Sequence, residues 1–139
     1  MQNMLEKAIM IAVEAHKGQK RDGGAPYIIH PLAVMNEMDT ELEKIVAVLH
    51  DVVEDTDVTL KDLVDYGFET CVVQAVGLLT HAKEVPYEEY LEKVRTCPVA
   101  TKVKIADIQH NSSSLSVYTD AEIKTRLKKY AKGLHILIN

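Results

Sequence analysis

The feature that most constrains the fold is the helical spacing of apolar residues along nearly the whole chain. Apolar side chains recur three and four positions apart, first at Leu5, Ala8, Ile9, Ala12 and Val13, and again at Leu42, Ile45, Val46, Leu49, Val52 and Val53. This spacing places them on one face of an α-helix, whereas a strand would need strict alternation, which no segment carries convincingly. The pattern therefore predicts an all-α fold, in which amphipathic helices bury their apolar faces against one another.

Glycine, proline and threonine divide this pattern into helices. The segment KRDGGAPYIIHP, residues 20–31, is typical of a loop, and Pro31 is suited to open a short helix. Thr59 is a suitable N-cap for a helix over 60–66 that Gly67 ends. Further helices are predicted over 69–80, from Pro86 to about Arg95, from Pro98 to about Asn111, and over the last stretch with Ile123, Leu127, Tyr130, Ala131, Leu134 and Leu137. The sequence thus predicts one domain, 1–139, of about seven helices.

Composition narrows the class of protein. The chain has no stretch of 18 apolar residues, so no membrane-spanning helix is expected, and charges near the N-terminus do not suit a signal peptide. Cys71 and Cys97 are far apart and are expected to be free thiols in the cytoplasm. A net charge of −5 disfavours nucleic-acid binding, whereas the cluster of Lys17, Lys20 and Arg21 is compatible with a small anionic ligand.

The segment AVLHDVVEDT, residues 47–56, places four polar groups inside an apolar helical pattern. On a helical wheel, His50, Asp51, Glu54 and Asp55 fall opposite the apolar positions. Taken alone, this arrangement is typical of a solvated helix face. The segment by itself therefore leaves two interpretations open, a solvated face or part of a metal site.

Two residues elsewhere in the chain favour the metal site. Asp107 lies next to the apolar face of its helix, and a buried carboxylate must be paired, neutralised or bound to a metal. His30 follows two isoleucines and precedes a proline that restricts the backbone. Together with His50 and Asp51 they form a set of two histidines and two carboxylates, which suits a divalent ion such as Mn, Fe or Zn. His110, on the helix of Asp107, either orients one of these ligands through a hydrogen bond or has a structural role.

The motifs IIHP, HDVVEDT and KIADIQHN resemble, in this order, those of the HD-domain metal-dependent phosphohydrolases. More narrowly, with AHKGQKRDGGAPYIIHP, they resemble the hydrolase domain of the Rel/Spo-type alarmone synthetase/hydrolases. The resemblance covers residues 5–111 well and the last helix more loosely. It implies an HD-domain helical bundle that removes the 3′-pyrophosphate of (p)ppGpp, giving GDP or GTP and pyrophosphate. Because a synthetase domain does not fit into 139 residues, the expectation is a small stand-alone alarmone hydrolase.

The resemblance assigns roles to individual residues. It implies that the metal ligands are His30, His50, Asp51 and Asp107, with Mn²⁺ as the usual ion and other divalent transition metals as alternatives. It implies that Glu54 and Asp55 are the acidic catalytic pair that orients or activates water. It implies that the nucleotide is bound by Arg21 on the guanine base, by Asn111, and by Ser114 near phosphate; Lys20, beside Arg21, is expected to attract the phosphates.

The loop before His30 departs from the family pattern and leaves the substrate open. The family loop usually reads KRKSGEPYIIHP, whereas this chain has Asp22, Gly23 and Ala25 in place of lysine, serine and glutamate; in addition, Ile108 replaces a usual arginine. The alternatives are a phosphohydrolase for another nucleotide or phosphorylated cofactor, and a nucleotide-binding module without turnover. Whether the chain forms a homo-oligomer also stays open, because apolar helix faces can pack on a second copy.

Overall fold

The computed structural model describes residues 3–139 and is all-helical in that range. Its helices are α1 (Met4–Ala15), α2 (Ile29–Asn36), α3 (Glu41–Leu49), α4 (Val52–Asp55), α5 (Leu60–Asp65), α6 (Thr70–Leu79), α7 (Tyr87–Val94), α8 (Pro98–Ser112) and α9 (Asp120–Ile138). The described residues contain no strand, only one isolated bridge between Lys20 and Pro26. The predicted all-α class is confirmed. The domain limits 1–139 stay a prediction, since residues 1 and 2 lie outside the described range.

The helix ends follow the capping chemistry of the sequence. A threonine precedes α3, α5 and α9, and its hydroxyl accepts a hydrogen bond from the backbone amide of the third helical residue. The acidic side chain of that third residue accepts a hydrogen bond from the backbone amide of the threonine. Pro98 is the first residue of α8. Gly67 has a φ of +95° after α5, a conformation that glycine adopts without strain. The predicted helix over 60–66 is therefore confirmed, together with its cap at Thr59.

Helix α3 is the centre of the bundle. All five residues from Ile45 to Leu49 are buried, because α1, α2, α6 and α8 pack around this helix. A helix surrounded in this way carries its last residues into the interior. The imidazole of His50, directly after α3, is accordingly only 2% exposed.

The sequence predicts one continuous helix through Val53, and the structure corrects this at His50 and Asp51. The amide of His50 bonds to the carbonyl of Ala47 at 3.3 Å, three residues back, and the chain resumes as the four-residue helix α4. A continuous wheel would place His50 on the outside. The break instead leaves His50 buried and Asp51 half-buried, while Glu54 and Asp55 are exposed. The interpretation of the whole segment as a solvated face is therefore wrong for His50.

No helix within residues 3–139 combines the length and the apolar character that crossing a membrane would require. Cys71 is exposed and Cys97 is half-buried, and both are free thiols as predicted.

Candidate metal centre and active site

The four residues proposed as metal ligands lie together at the meeting point of α2, the α3–α4 break and α8. Each of His30, His50, Asp51 and Asp107 offers one ligand atom, and these atoms all lie within 4.8 Å of one another. Nε2 of His30 is 2.7 Å from Oδ1 of Asp107, and Nε2 of His50 is 3.0 Å from Oδ2 of Asp51. Imidazole nitrogens and carboxylate oxygens converging on one point are a suitable set for a divalent transition metal.

The orientation of His50 tests whether this set fits a metal. Its Nδ1 donates to the carbonyl of Ala47 at 2.5 Å, which leaves the lone pair of Nε2 directed at the two carboxylates. Nε2 is buried and has no hydrogen-bond partner of good geometry among the described residues. A lone pair facing two anions is unfavourable unless a cation lies between them, either a proton or a metal ion. The residues therefore fit a bound metal.

The same surroundings change the proton affinity of His50. Burial alone would lower the pKa of His50, but attraction by Asp51 and interactions with Asp107 raise it well above its usual value. A protonated His50 is thus the form of the site that balances the carboxylates when no metal is bound.

His110 orients the other imidazole. Nδ1 of His30 lies 2.7 Å from Nδ1 of His110, and the two rings stack with centroids 5.0 Å apart. Burial, followed by positive charge nearby, lowers the pKa of His110, so its neutral ring can accept a hydrogen bond from the Nδ1–H of His30. This tautomer leaves Nε2 of His30 free to face the cluster. The contact supports the ligand-orienting role that the sequence left open for His110.

Two further side chains, Tyr27 and Lys104, hold the carboxylates, and sequence reasoning missed both. The hydroxyl of Tyr27 donates to Oδ2 of Asp51 at 2.5 Å, and Nζ of Lys104 donates to Oδ2 of Asp107 at 2.8 Å. Burial alone would raise the pKa of Asp107, but Lys104 and the two imidazoles hold it well below its usual range. For Lys104 the sequence offered a signal, since it lies three positions before Asp107 on the same helix, whereas no local spacing connects Tyr27 with Asp51.

The acidic pair lies at the exposed rim of this centre. Oε1 of Glu54 accepts a hydrogen bond from the backbone amide of His81 at 2.7 Å. Oδ2 of Asp55 lies 3.4 Å from the hydroxyl of Tyr27, which also donates to Asp51. Partial burial, followed by repulsion from Asp51, raises the pKa of both Glu54 and Asp55. Both carboxylates thus reach solvent and lie close enough to Asp51 for its charge to affect them.

A polar cleft of about 430 Å³ adjoins the centre, and three of the predicted nucleotide contacts line it. Nη2 of Arg21 donates to Oδ1 of Asn111 at 3.0 Å, while Nδ2 of Asn111 donates to Oδ1 of Asp107 at 3.3 Å. These bonds connect the cleft to the metal cluster. Ser114 also lines the cleft. Lys20 is exposed and is not among the described residues that line the cleft.

The altered loop packs against the connection between α8 and α9. Asp22 accepts a hydrogen bond from the hydroxyl of Tyr118 at 2.5 Å, and the guanidinium of Arg126 stacks on the ring of Tyr118, 3.8 Å from its centroid. Gly23 has a φ of +96°, and a Cβ at this position would lie 2.7 Å from Val117. Asp22 and Gly23, which depart from the family pattern, therefore form contacts with a second segment that also lines the cleft.

Comparison with known proteins identifies relatives of this chain. No family model matches it. A guanosine-3′,5′-bis(diphosphate) 3′-pyrophosphohydrolase of Vibrio cholerae is 40% identical over 92 residues, which are 63% of this chain and 13% of that protein. The bifunctional (p)ppGpp synthase/hydrolase SpoT of Escherichia coli is 34% identical over 125 residues, covering 80% of this chain and 18% of SpoT. The chain is a homologue of the Rel/Spo-type hydrolase domain. It spans less than a fifth of the length of these curated relatives.

A solved structure extends the similarity to nearly the whole chain. The structure described as a metazoan orthologue of SpoT that hydrolyses ppGpp superimposes with a TM-score of 0.82 at 26% sequence identity. The match covers 99% of this chain and 86% of that one. The predicted resemblance and the HD helical bundle are therefore confirmed, including the last helix, where the motifs gave the weaker signal.

Proposed function

We propose that this chain is a metal-dependent phosphohydrolase that removes the 3′-pyrophosphate of (p)ppGpp, leaving GDP or GTP. The observation that carries the proposal is the four-residue cluster around the unpaired Nε2 of His50, connected through Asn111 to the cleft of Arg21. The relatives named as 3′-pyrophosphohydrolases and the ppGpp-hydrolysing structural neighbour support the substrate. Mn²⁺ is the proposed ion, with other divalent transition metals as substitutes.

His30, His50, Asp51 and Asp107 would hold the ion. When bound, a divalent ion supplies Lewis acidity, which lowers the pKa of a bound water and offsets charge on a phosphate oxygen. In the proposed reaction, the oxygen of water bonds to the phosphorus attached to O3′, the O3′–P bond breaks, and pyrophosphate leaves. The 3′ oxygen takes up a proton, and water gives one up.

The chain's own residues handle the proton and the nucleoside. Glu54 and Asp55, at the exposed rim, are proposed to receive the proton that water releases, because partial burial raises the pKa of both carboxyls. Arg21 is proposed to stack on the base, since its planar cation is held at the cleft by Asn111. Ser114 is a further proposed contact, and exposed Lys20 is proposed to attract the phosphates from outside the cleft.

Phosphate release from ppGpp tests the proposal. Purified protein is incubated with ppGpp and Mn²⁺, and phosphate is measured with and without added pyrophosphatase. We expect phosphate to appear only with pyrophosphatase, to require the metal, and to be lost in Asp107→Ala. Asp39→Ala, which removes an exposed carboxylate paired with Lys102, serves as a matched control and should stay active. Equal activity of wild type and Asp107→Ala would contradict the assignment of the site.

The loop departures favour one second candidate, a different nucleotide or phosphorylated cofactor as substrate. Asp22 places a carboxylate in the cleft wall where the family usually has lysine, and its contact with Tyr118 gives this wall its own shape. A panel of nucleotides and phosphorylated cofactors compared by kcat/KM decides between the two candidates. A kcat/KM for another compound well above that for ppGpp would select the second.

We further propose that the activity takes place in the cytoplasm on a small anionic nucleotide. The two free thiols support a reducing compartment. Gel filtration of the purified protein would establish whether it is a monomer or a homo-oligomer.

A further inference from the structure

Lys104 is a largely buried lysine in direct contact with the candidate metal centre. Its side chain is 16% exposed, and its Nζ lies 2.8 Å from Oδ2 of Asp107. The ammonium group also lies 5.4 Å from the centroid of the Tyr90 ring, on the face that attracts cations. Burying a lysine is costly unless its charge is paired, and Asp107 and the Tyr90 ring keep this ammonium charged beside the centre.

The two oxygens of Asp107 have separate partners. Oδ1 faces the cluster, 2.7 Å from Nε2 of His30, whereas Oδ2 faces Lys104. A carboxylate held in this way presents one oxygen to a metal ion. The lysine is therefore separated from the ion-binding point by a single carboxylate group.

The charges around the centre indicate what this lysine is for. The two ligand carboxylates together with Glu54 and Asp55 carry more negative charge than one divalent ion neutralises. A pyrophosphate group entering the centre would meet this excess. Among the lysines and arginines of residues 3–139, only Lys104 forms an ion pair with one of the four candidate metal ligands. Its ammonium has three N–H donors, of which Asp107 accepts one.

We propose that Lys104 is a phosphate-binding residue of this site, held by Asp107 so that its ammonium contacts the pyrophosphate group of the bound substrate. The inference rests on the proposed function only in placing a phosphorylated group at the metal centre. It assigns Lys104 a contact with substrate, in addition to its ion pair with a metal ligand.

Binding of inorganic pyrophosphate tests this role apart from catalysis. The variants are Lys104→Met, which removes the charge, Lys104→Gln, which retains a donor for Asp107, and Lys104→Arg, which retains the charge. Lys102→Met is the matched control, because Lys102 lies on the same helix and pairs with Asp39 and Glu43 away from the centre. Circular dichroism checks folding, calorimetry gives the Kd for Mn²⁺, and equilibrium dialysis of Mn²⁺-loaded protein gives the Kd for pyrophosphate.

We expect Lys104→Met to raise the Kd for pyrophosphate about tenfold or more, the usual effect of losing a hydrogen bond to a charged group. The Kd for Mn²⁺ should stay unchanged or fall, because no ligand is removed and a nearby positive charge is lost. Lys104→Arg should retain much of the pyrophosphate affinity, and Lys102→Met should match wild type. If Lys104→Met does not fold, Lys104→Gln provides the same comparison.

A purely structural lysine gives a different pattern. Weaker Mn²⁺ binding by Lys104→Met, with pyrophosphate affinity restored by additional Mn²⁺, would overturn the proposal. Equal pyrophosphate affinity in the Lys104 and Lys102 variants would overturn it as well. If wild type does not hydrolyse ppGpp but Lys104→Met and Lys104→Gln selectively lose affinity for pyrophosphate, the proposed substrate is wrong and the role of Lys104 stands.

Discussion

The metal-free protein should carry a proton on Nε2 of His50 that metal binding displaces. Nδ1 already donates to the carbonyl of Ala47, so Nε2 is the nitrogen that gains or loses the proton. It lies 3.0 Å from Oδ2 of Asp51 and 3.4 Å from Oδ1 of Asp107, and these carboxylates raise the pKa of His50 well above its usual value despite the opposing effect of burial. A metal ion needs the same lone pair, so proton and metal compete for one atom.

The structure sets the size of this competition. Asp107 stays ionised, because its pKa is lowered, so it contributes no proton. His50 alone then predicts the release of about one proton for each ion bound near neutral pH. The association constant for Mn²⁺ should rise about tenfold per pH unit between about pH 6 and pH 7, equivalent to about 1.4 kcal/mol of binding free energy per unit.

Calorimetry of Mn²⁺ binding in buffers with different ionisation enthalpies measures the released protons directly. The exposed His135, paired with Asn139 near the end of α9, provides the control variant His135→Ala, which should release the same number as wild type. A buffer-independent binding enthalpy, together with an affinity that is flat across this pH range, would show that His50 is neutral before the metal arrives.

The same pKa shift predicts how the stability of the metal-free protein depends on pH. The folded pKa of His50 lies above the unfolded value of about 6.5, so folding binds the proton more tightly. The stabilisation is complete below the unfolded pKa and is lost as the pH rises through the raised pKa. Thermal unfolding of metal-free protein should therefore show a falling Tm above neutral pH, and His50→Gln should lose this dependence.

Three substitutions test other parts of the site. Gly23→Ala forces a φ of +96° on alanine and places its Cβ 2.7 Å from Val117; urea denaturation should show a loss of about 1–3 kcal/mol in the free energy of unfolding. Tyr27→Phe removes the 2.5 Å hydrogen bond to Asp51 and should weaken Mn²⁺ binding about tenfold or more by calorimetry, with little change in secondary structure. His110→Ala removes the acceptor that orients the imidazole on α2; Mn²⁺ affinity should fall about tenfold to a hundredfold, and an unchanged Kd would contradict the orienting role.

The sequence predicted most of the helices, because local chemistry determines most of their ends. Residues 3–139 nevertheless form nine helices where about seven were predicted, and α2 begins at Ile29, two residues before the predicted start at Pro31. The cap at Thr59, the glycine after α5 and the proline at the start of α8 act within one or two turns, and these boundaries appear where the pattern indicates. The helical wheel was wrong for His50, since it assumes an unbroken helix. The spacing of apolar residues does not show that the helix is interrupted after Leu49.

The candidate ligands were identifiable because buried charge is conspicuous in an apolar pattern. Asp107 was the clearest signal, and its place among His30, His50 and Asp51 agrees with that argument. Tyr27 was not identified, because its partner Asp51 lies 24 residues away and a tyrosine hydroxyl can point to solvent equally well. Lys104 was missed for a related reason, since spacing along a helix does not show whether a lysine extends inward or outward.

The docking of the loop at Asp22 and Gly23 on the connection after α8 has a consequence for protein engineering. Asp22 and Tyr118 are 96 residues apart in the chain, yet they form one wall of the cleft, and Gly23 leaves room for Val117. Grafting the loop of a relative into this chain would remove the acceptor of Tyr118 and crowd Val117. The two segments therefore pack as one unit, and we expect that transferring the cleft wall of a relative into this chain requires replacing both segments together.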